Sequence, residues 1–187
     1  YIQSAAEANK LKMKAATRNF IFLLVVLLSA GIEGNQPSWC PASCSCDASK
    51  LSVNCNTRKL TKIPQGLPTT IRKLDLANNR IRNIPTDTFL SLNNLTYLKL
   101  TCNRISGIGE NGFRGLVSLE ELRLATNRNL TVRVLEKSLF GIALTLLPSL
   151  KSLYLYQMSF ALNANSLKCL QGHPSLELLD LSENRNM

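Results

Sequence analysis

Ile71-Arg72-Lys73-Leu74-Asp75-Leu76-Ala77-Asn78-Asn79-Arg80-Ile81 places apolar residues at positions 1, 4, 6 and 11 and an asparagine at position 9. The same template returns at Leu95, Leu119, Leu150 and Leu176. A unit this short cannot bury its apolar face alone, so such a recurrence makes a core only by stacking. Leucines at positions 4 and 6 (Leu74 and Leu76, Leu98 and Leu100, Leu122 and Leu124, Leu153 and Leu155, Leu179 and Leu181) alternate with other residues. Period-two alternation predicts a short strand with one face buried in every unit, and stacked units make a parallel sheet.

About eighteen residues return the chain in each unit, anchored by Ile84, Phe89 and Leu92, then by Ile108, Phe113 and Leu116. Strands pack at about 4.8 Å and the returning segments are bulkier, so the stack curves and the strands line its concave side. The position 9 asparagines (Asn79, Asn103, Asn127, Asn184) carry two donors and an acceptor, suited to turn backbone groups that leave the ladder. Met158 stands there in the fourth unit and lacks that amide. The units beginning at Ile71 and Leu95 are 24 residues long, the third 31 and the fourth 26. Phe89, Phe113, Leu144 and Leu170 read as spacers between units, and His173, the single histidine, as a half-buried framework residue.

Ahead of the units, Lys14 and Arg18 precede an apolar run from Phe20 to Leu28 and the small residues Ser29, Ala30 and Gly31. Basic, apolar, small is the order of a secretory signal peptide. Nine apolar residues make roughly 14 Å of helix at ~1.5 Å each, too little for a hydrocarbon core of about 30 Å. Met13 opens this segment, so residues 1–12 read as translated upstream sequence and 13–34 as the signal, with cleavage after Gly31 or Gly34. Residues 35–187 hold 18 Lys and Arg against 10 Asp and Glu, a net +8 that favours acidic partners. No second apolar run approaches the ~18 residues of a membrane span.

Four of the six cysteines cluster as Cys40-x3-Cys44-x-Cys46-x8-Cys55. After a signal peptide this pattern predicts two disulfides rather than zinc ligands, and four cysteines allow three connectivities. A tied cap here covers the apolar side and unpaired edge of the first strand. The cluster, then Leu60-x-x-Ile63-Pro64-x-x-Leu67-Pro68-x-x-Ile71, then the repeats, resembles the N-terminal cap and first repeats of extracellular leucine-rich-repeat proteins. The resemblance runs from Trp39 to Met187 and implies bridges joining Cys40 with Cys46 and Cys44 with Cys55. The expected fold is an α/β leucine-rich-repeat solenoid: a cap over residues 35–70 and about five repeats over 71–187, the last one truncated, as expected of a fragment of a longer protein.

The chain has one histidine, no carboxylates paired with a supporting base, no phosphate-cradling glycine loop and no metal-ligand or cofactor motif, which speaks against catalysis. Alternation assigns positions 3, 5 and 7 to the outward strand face. Along the stack these are Lys73, Asp75 and Ala77; Tyr97, Lys99 and Thr101; Glu121, Arg123 and Ala125; Ser152, Tyr154 and Tyr156; Leu178, Asp180 and Ser182. All three tyrosines of the mature chain fall in this set, and tyrosine combines large contact area with few rotors to freeze, as recognition surfaces require. The ligand-binding residues expected on the concave face are therefore Lys73, Asp75, Tyr97, Lys99, Glu121, Arg123, Tyr154, Tyr156 and Asp180. A second row, Arg80, Arg104, Arg128 and Arg185, forms a basic edge suited to a polyanion, although no specific nucleic-acid motif is present.

Asn94-Leu95-Thr96 and Asn129-Leu130-Thr131 are acceptors for N-glycosylation. Cys102 and Cys169 fall on remote surfaces and are expected unpaired within this chain. Unequal repeat lengths and the Asn127-Arg128-Asn129-Leu130-Thr131 turn resemble Toll-like receptor ectodomains. That resemblance implies an innate-immune receptor that enters the secretory pathway, lies outside the cell or on its surface, binds a microbial or protein ligand, and dimerises. Ile63-Pro64-x-x-Leu67-Pro68-Thr69-Thr70 is similar instead to variable lymphocyte receptors and to Slit-like or matrix proteins, which implies a secreted or anchored binder.

Overall fold

A computed structural model of the chain describes residues 36–140, 147–159 and 173–184, and Pro37–Met187 forms one compact unit. The expected upstream segment and signal peptide, together with Cys169 and Arg185, lie outside the described residues.

The strands in chain order are β1 (Ser45–Asp47), β2 (Ser52–Asn54), β3 (Lys73–Asp75), β4 (Asn83–Ile84), β5 (Tyr97–Lys99), β6 (Gly107–Ile108), β7 (Glu121–Arg123), β8 (Ser152–Tyr154) and β9 (Leu178–Asp180). One seven-stranded sheet runs β1-β2-β3-β5-β7-β8-β9, and β4 pairs with β6 apart from it. From β2 onward every pairing is parallel and in register, so Leu74, Leu98, Leu122, Leu153 and Leu179 form one row. Backbone bonds carry the ladder past the strands: the N–H at position 6 donates to position 5 of the next unit, and that at position 8 to position 7, as in Leu76 to Lys99 at 2.8 Å and Asn78 to Thr101 at 3.0 Å. The structure is the expected leucine-rich-repeat solenoid.

The cap follows from the same geometry. β1 runs antiparallel to β2, and β2 pairs parallel with β3, so the cap occupies the edge that the first repeat would leave open. Disulfides join Cys40 to Cys46 and Cys44 to Cys55, the pairing implied by the family resemblance. Asp47 turns the β1–β2 corner by accepting the Ser49 and Lys50 N–H groups at 3.0 and 3.1 Å and the Ser49 hydroxyl at 2.6 Å. These hydrogen bonds favour the carboxylate and hold its pKa at about 2.

One apolar core runs the length of the stack, with the position 4 and 6 leucines of the first four repeats fully buried. Phe89 and Phe113 stack on the returning side, their ring centroids 6.2 Å apart. There Gly115, at φ +96°, lies so close to the Leu90 backbone that a Cβ would approach it to 2.5 Å. The longer third repeat places the helix Val132–Leu135 and the π-helical turn Glu136–Phe140 on the returning path, and the Thr131 side chain caps the helix by accepting the Val134 N–H.

The asparagines have the role expected of them and extend it between repeats. Asn103 donates to Leu76 O at 2.9 Å and Leu100 O at 3.0 Å and accepts the Ile81 N–H at 3.1 Å. Asn127 repeats this one unit on, with Leu100 O, Leu124 O and the Ile105 N–H. Leu76 O and Leu100 O thereby each receive two side-chain amides, one from their own repeat and one from the next. Met158 breaks this bridge: among the described residues Leu124 O receives only the Asn127 amide and Leu155 O only that of Asn184. The methionine turn finds other partners, since Asn184 accepts the Met158 N–H at 2.8 Å and the Met158 sulfur accepts the Asn127 N–H at 3.4 Å.

One expectation about facing fails. Ala77, Thr101 and Ala125 at position 7 are buried rather than outward. Position 8 adopts a left-handed backbone in every unit, at Asn78, Cys102, Thr126, Gln157 and Glu183 (φ 53–60°), which ends the strand alternation one residue early. The ladder bond from position 8 then clamps the small position 7 residue against the neighbouring turn.

Candidate recognition surface

In-register parallel pairing sets Lys73, Tyr97, Glu121, Ser152 and Leu178 in one outward row and Asp75, Lys99, Arg123, Tyr154 and Asp180 in the next. Adjacent members stand about 4.8 Å apart, so side chains from successive repeats meet although 24 or more residues separate them in sequence. Lys99 and Arg123 are like charges in neighbouring places, and each leans to a different carboxylate. Lys99 Nζ lies 3.7 Å from Asp75 Oδ2, and Arg123 Nε donates to Glu121 Oε1.

Arg123 is the centre of the face. Its guanidinium carbon lies 4.5 Å from the Tyr154 ring centroid and 5.8 Å from that of Tyr97, a cation held by two π-faces and one carboxylate. Burial works against the Arg123 charge, but the Glu121 hydrogen bond and charge outweigh it and raise the guanidinium pKa further. Burial raises the Tyr97 phenol above its ordinary value, against the Arg123 charge, so the ring presents a neutral hydroxyl at physiological pH.

The structure thus brings together Tyr97, Glu121, Arg123 and Tyr154, with Asp75 and Lys99 beside them. Tyr156, at position 7, is half-buried and its carbonyl takes the Thr126 N–H. Lys73 is exposed on the same sheet. Asp75 and Asp180 partly serve their own backbone, accepting the Ala77 and Ser182 N–H groups at 2.8 and 3.0 Å. Next to the tyrosines the sheet also shows Leu178, an exposed apolar side chain.

On the turn edge Arg80, Arg104 and Arg128 are exposed as expected. Arg104 and Arg128 line a cavity of about 560 Å³, but Arg82, which the row of equivalent positions omits, takes the place expected of Arg80. Arg82 follows two positions later in its repeat and borders the same cavity as arginines of the next two, which counting equivalent positions does not reveal. Asn94 and Asn129 are both exposed, and Asn129 borders that same cavity. Cys102 is a free, exposed thiol. Half-buried His173 accepts the Ser175 N–H at its Nδ1, at 3.4 Å, in keeping with a framework place.

No helix among the described residues is long and apolar enough to cross a membrane, and they hold no cluster of three potential metal ligands. The model of the leucine rich repeat N-terminal domain matches residues 40–68, and that of the leucine rich repeat matches residues 69–128. The leucine-rich repeat and immunoglobulin-like domain-containing nogo receptor-interacting protein 1-B of Danio rerio is 37% identical over 78 residues, 42% of this chain and 12% of its own length. The corresponding protein 2 of Mus musculus is 42% identical over 72 residues, 38% of this chain and 11% of its own. Human chondroadherin-like protein is 37% identical over 78 residues, 42% of this chain and 10% of its own. The matched stretch thus spans 10–12% of the length of these relatives.

Among solved structures, mouse RP105 in its complex with MD-1 superposes with a TM-score of 0.63 at 29% identity, covering 76% of this chain and 22% of that one. Human 5T4 shares the fold, with a TM-score of 0.51 at 22% identity over 80% of this chain and 82% of that one. Residues 40–128 are thus a cysteine-rich N-terminal domain and repeats of the leucine-rich-repeat family, in cap, bridges, strand register and repeat order.

Proposed function

We propose that this chain is the recognition part of a secreted or cell-surface protein and that it binds a protein or microbial ligand on its sheet face, around Arg123. The observation that carries this reading is the Tyr97–Arg123–Tyr154 cluster with Glu121, contributed by three different repeats. Arginine and tyrosine dominate interface hot spots, and side chains already held by neighbours lose less freedom on binding. Two disulfides suit the oxidising compartment of such a protein. Two of the relatives are named for interaction with a receptor, and RP105 is seen in complex with a protein, MD-1, which supports a protein partner here as well.

Within this reading the finer form is a Toll-like innate receptor that dimerises around its ligand. Its support is the 31-residue third repeat, whose extra length lies in the segment Val132–Phe140 on the returning side. The test presents the full secreted chain to arrays of purified extracellular receptor domains and of microbial surface molecules. A specific partner is expected to lose at least 30-fold in affinity, about 2 kcal/mol, on combined Tyr154→Ala and Tyr156→Ala substitution with little change in melting temperature. A partner that binds the double variant as tightly as the parent refutes the sheet-face reading. A microbial partner favours the innate receptor and a host receptor domain favours the adhesion or matrix form.

A further inference from the structure

We infer that the turn edge of the stack, apart from the sheet face, holds a linear sulfated polysaccharide in a groove running from Lys62 past Arg82 and Arg104 to Arg128. Three neighbouring cavities make this groove. The first, of about 410 Å³, is bordered by Lys62 and Arg82; the second, of about 560 Å³, by Arg82, Arg104 and Arg128; the third, of about 260 Å³, by Arg128 and Gln157. Arg82 borders the first and second and Arg128 the second and third, so the depressions follow one another along the stack. A chain-like ligand fits a site that crosses successive repeats better than a compact one does.

The charge in the groove is uncompensated. That holds for the first two cavities, which no aspartate or glutamate borders; Glu183, bonded to the Gln157 amide, borders only the third and marks the end of the basic stretch. The ion pairs among the described residues, at Lys50, Lys99, Arg114, Arg123 and Lys151, all lie elsewhere. Guanidinium forks pair bidentately with tetrahedral oxyanions, and the hydroxyls of Thr61, Thr88, Ser106 and Thr126 suit sugar hydroxyls between them. No aromatic side chain borders the groove, whereas single-stranded nucleic acids are held by stacking on such rings. Ile63 and Pro85 are its only apolar walls, too little for a lipid chain. Sulfated polysaccharide is the polyanion that this chemistry favours.

Asn129 borders the middle cavity and is a glycan acceptor, so an attached glycan would stand over Arg128. The test therefore uses the full chain carrying Asn129→Gln, which spares Thr131, the cap of the following helix. Binding to an immobilised heparin oligosaccharide is measured from low to moderate salt. Combined Arg82→Ala, Arg104→Ala and Arg128→Ala substitution is expected to weaken binding at least 30-fold and to lower the salt dependence by roughly three charge equivalents. Lys50→Ala, Arg72→Ala and Lys137→Ala together remove the same charge outside the groove and are expected to cost less than threefold. Both triple variants are checked for an unchanged melting temperature, since all six side chains are exposed. Equal losses in the two, undiminished binding by the groove variant, equal binding of the desulfated oligosaccharide, or tighter binding of a single-stranded polynucleotide of matched charge would each overturn the inference.

Discussion

Asn127→Ala and Asn103→Ala remove the same side chain from the same repeat position, yet the first is expected to cost more. Asn103 donates to Leu76 O and Leu100 O, which keep a second amide from Asn79 and Asn127, so its loss orphans only the Ile81 N–H. Asn127 also shares Leu100 O, but it is the sole side-chain donor to Leu124 O, at 2.6 Å, because Met158 stands where the next amide would be. Its loss orphans both Leu124 O and the Ile105 N–H. A buried orphan costs roughly 1–3 kcal/mol and a redundant bond about 1 kcal/mol, which places Asn103→Ala near ~4 kcal/mol and Asn127→Ala near ~5 kcal/mol. Urea unfolding followed by far-UV circular dichroism reads the gap, with the slope m expected to match between variants. In a Met158→Asn background Leu124 O gains a second donor, and the two costs should converge, as a double-mutant cycle measures. Equal costs in the parent, or a gap that survives Met158→Asn, would refute the bridging account.

Two further outcomes concern the cap. Hydrogen bonds from Ser49 and Lys50 depress the Asp47 pKa from 3.8 to about 2, so the stability it lends is present above pH 3.8 and lost as pH falls toward 2. The carboxyl carbon shift of Asp47 should titrate near the lower value and move up in Ser49→Ala, while a midpoint near 3.8 in the parent contradicts the turn geometry. The Cys44–Cys55 bridge closes the longer loop and its sulfurs are buried, whereas Cys40 and Cys46 are half-exposed. Replacing Cys44 and Cys55 by serine should cost about 3 kcal/mol or more, and Cys40 with Cys46 about 2 kcal/mol, by loop entropy. Thermal melts that rank the two pairs in the opposite order disprove this.

The repeat template made the strands, the core leucines and the role of position 9 legible, because a period of two and an amide at a turn are properties of residue types. The outward rows at positions 3 and 5 were legible as well, since parallel strands in register turn sequence offsets into neighbours, but the grouping of Tyr97, Glu121 and Tyr154 around Arg123 rather than around Tyr156 depends on side-chain placement. The facing of position 7 was not. Its burial follows from the left-handed residue after it, a place held by Asn78, Cys102, Thr126, Gln157 and Glu183, with no glycine to mark it. That conformation comes from stacking: the position 8 N–H must turn inward to reach the carbonyl of the next repeat. The turn-edge groove escaped for a related reason, because Arg82 sits at position 12 and Arg104 and Arg128 at position 10, so a row of equivalent positions separates residues that border one cavity. Rows along a sheet keep their register, whereas grooves at its turns run diagonally across repeats. A surface of the second kind becomes visible only once the stack is built, and in this chain it gathers Lys62, Arg82, Arg104 and Arg128 from successive turns.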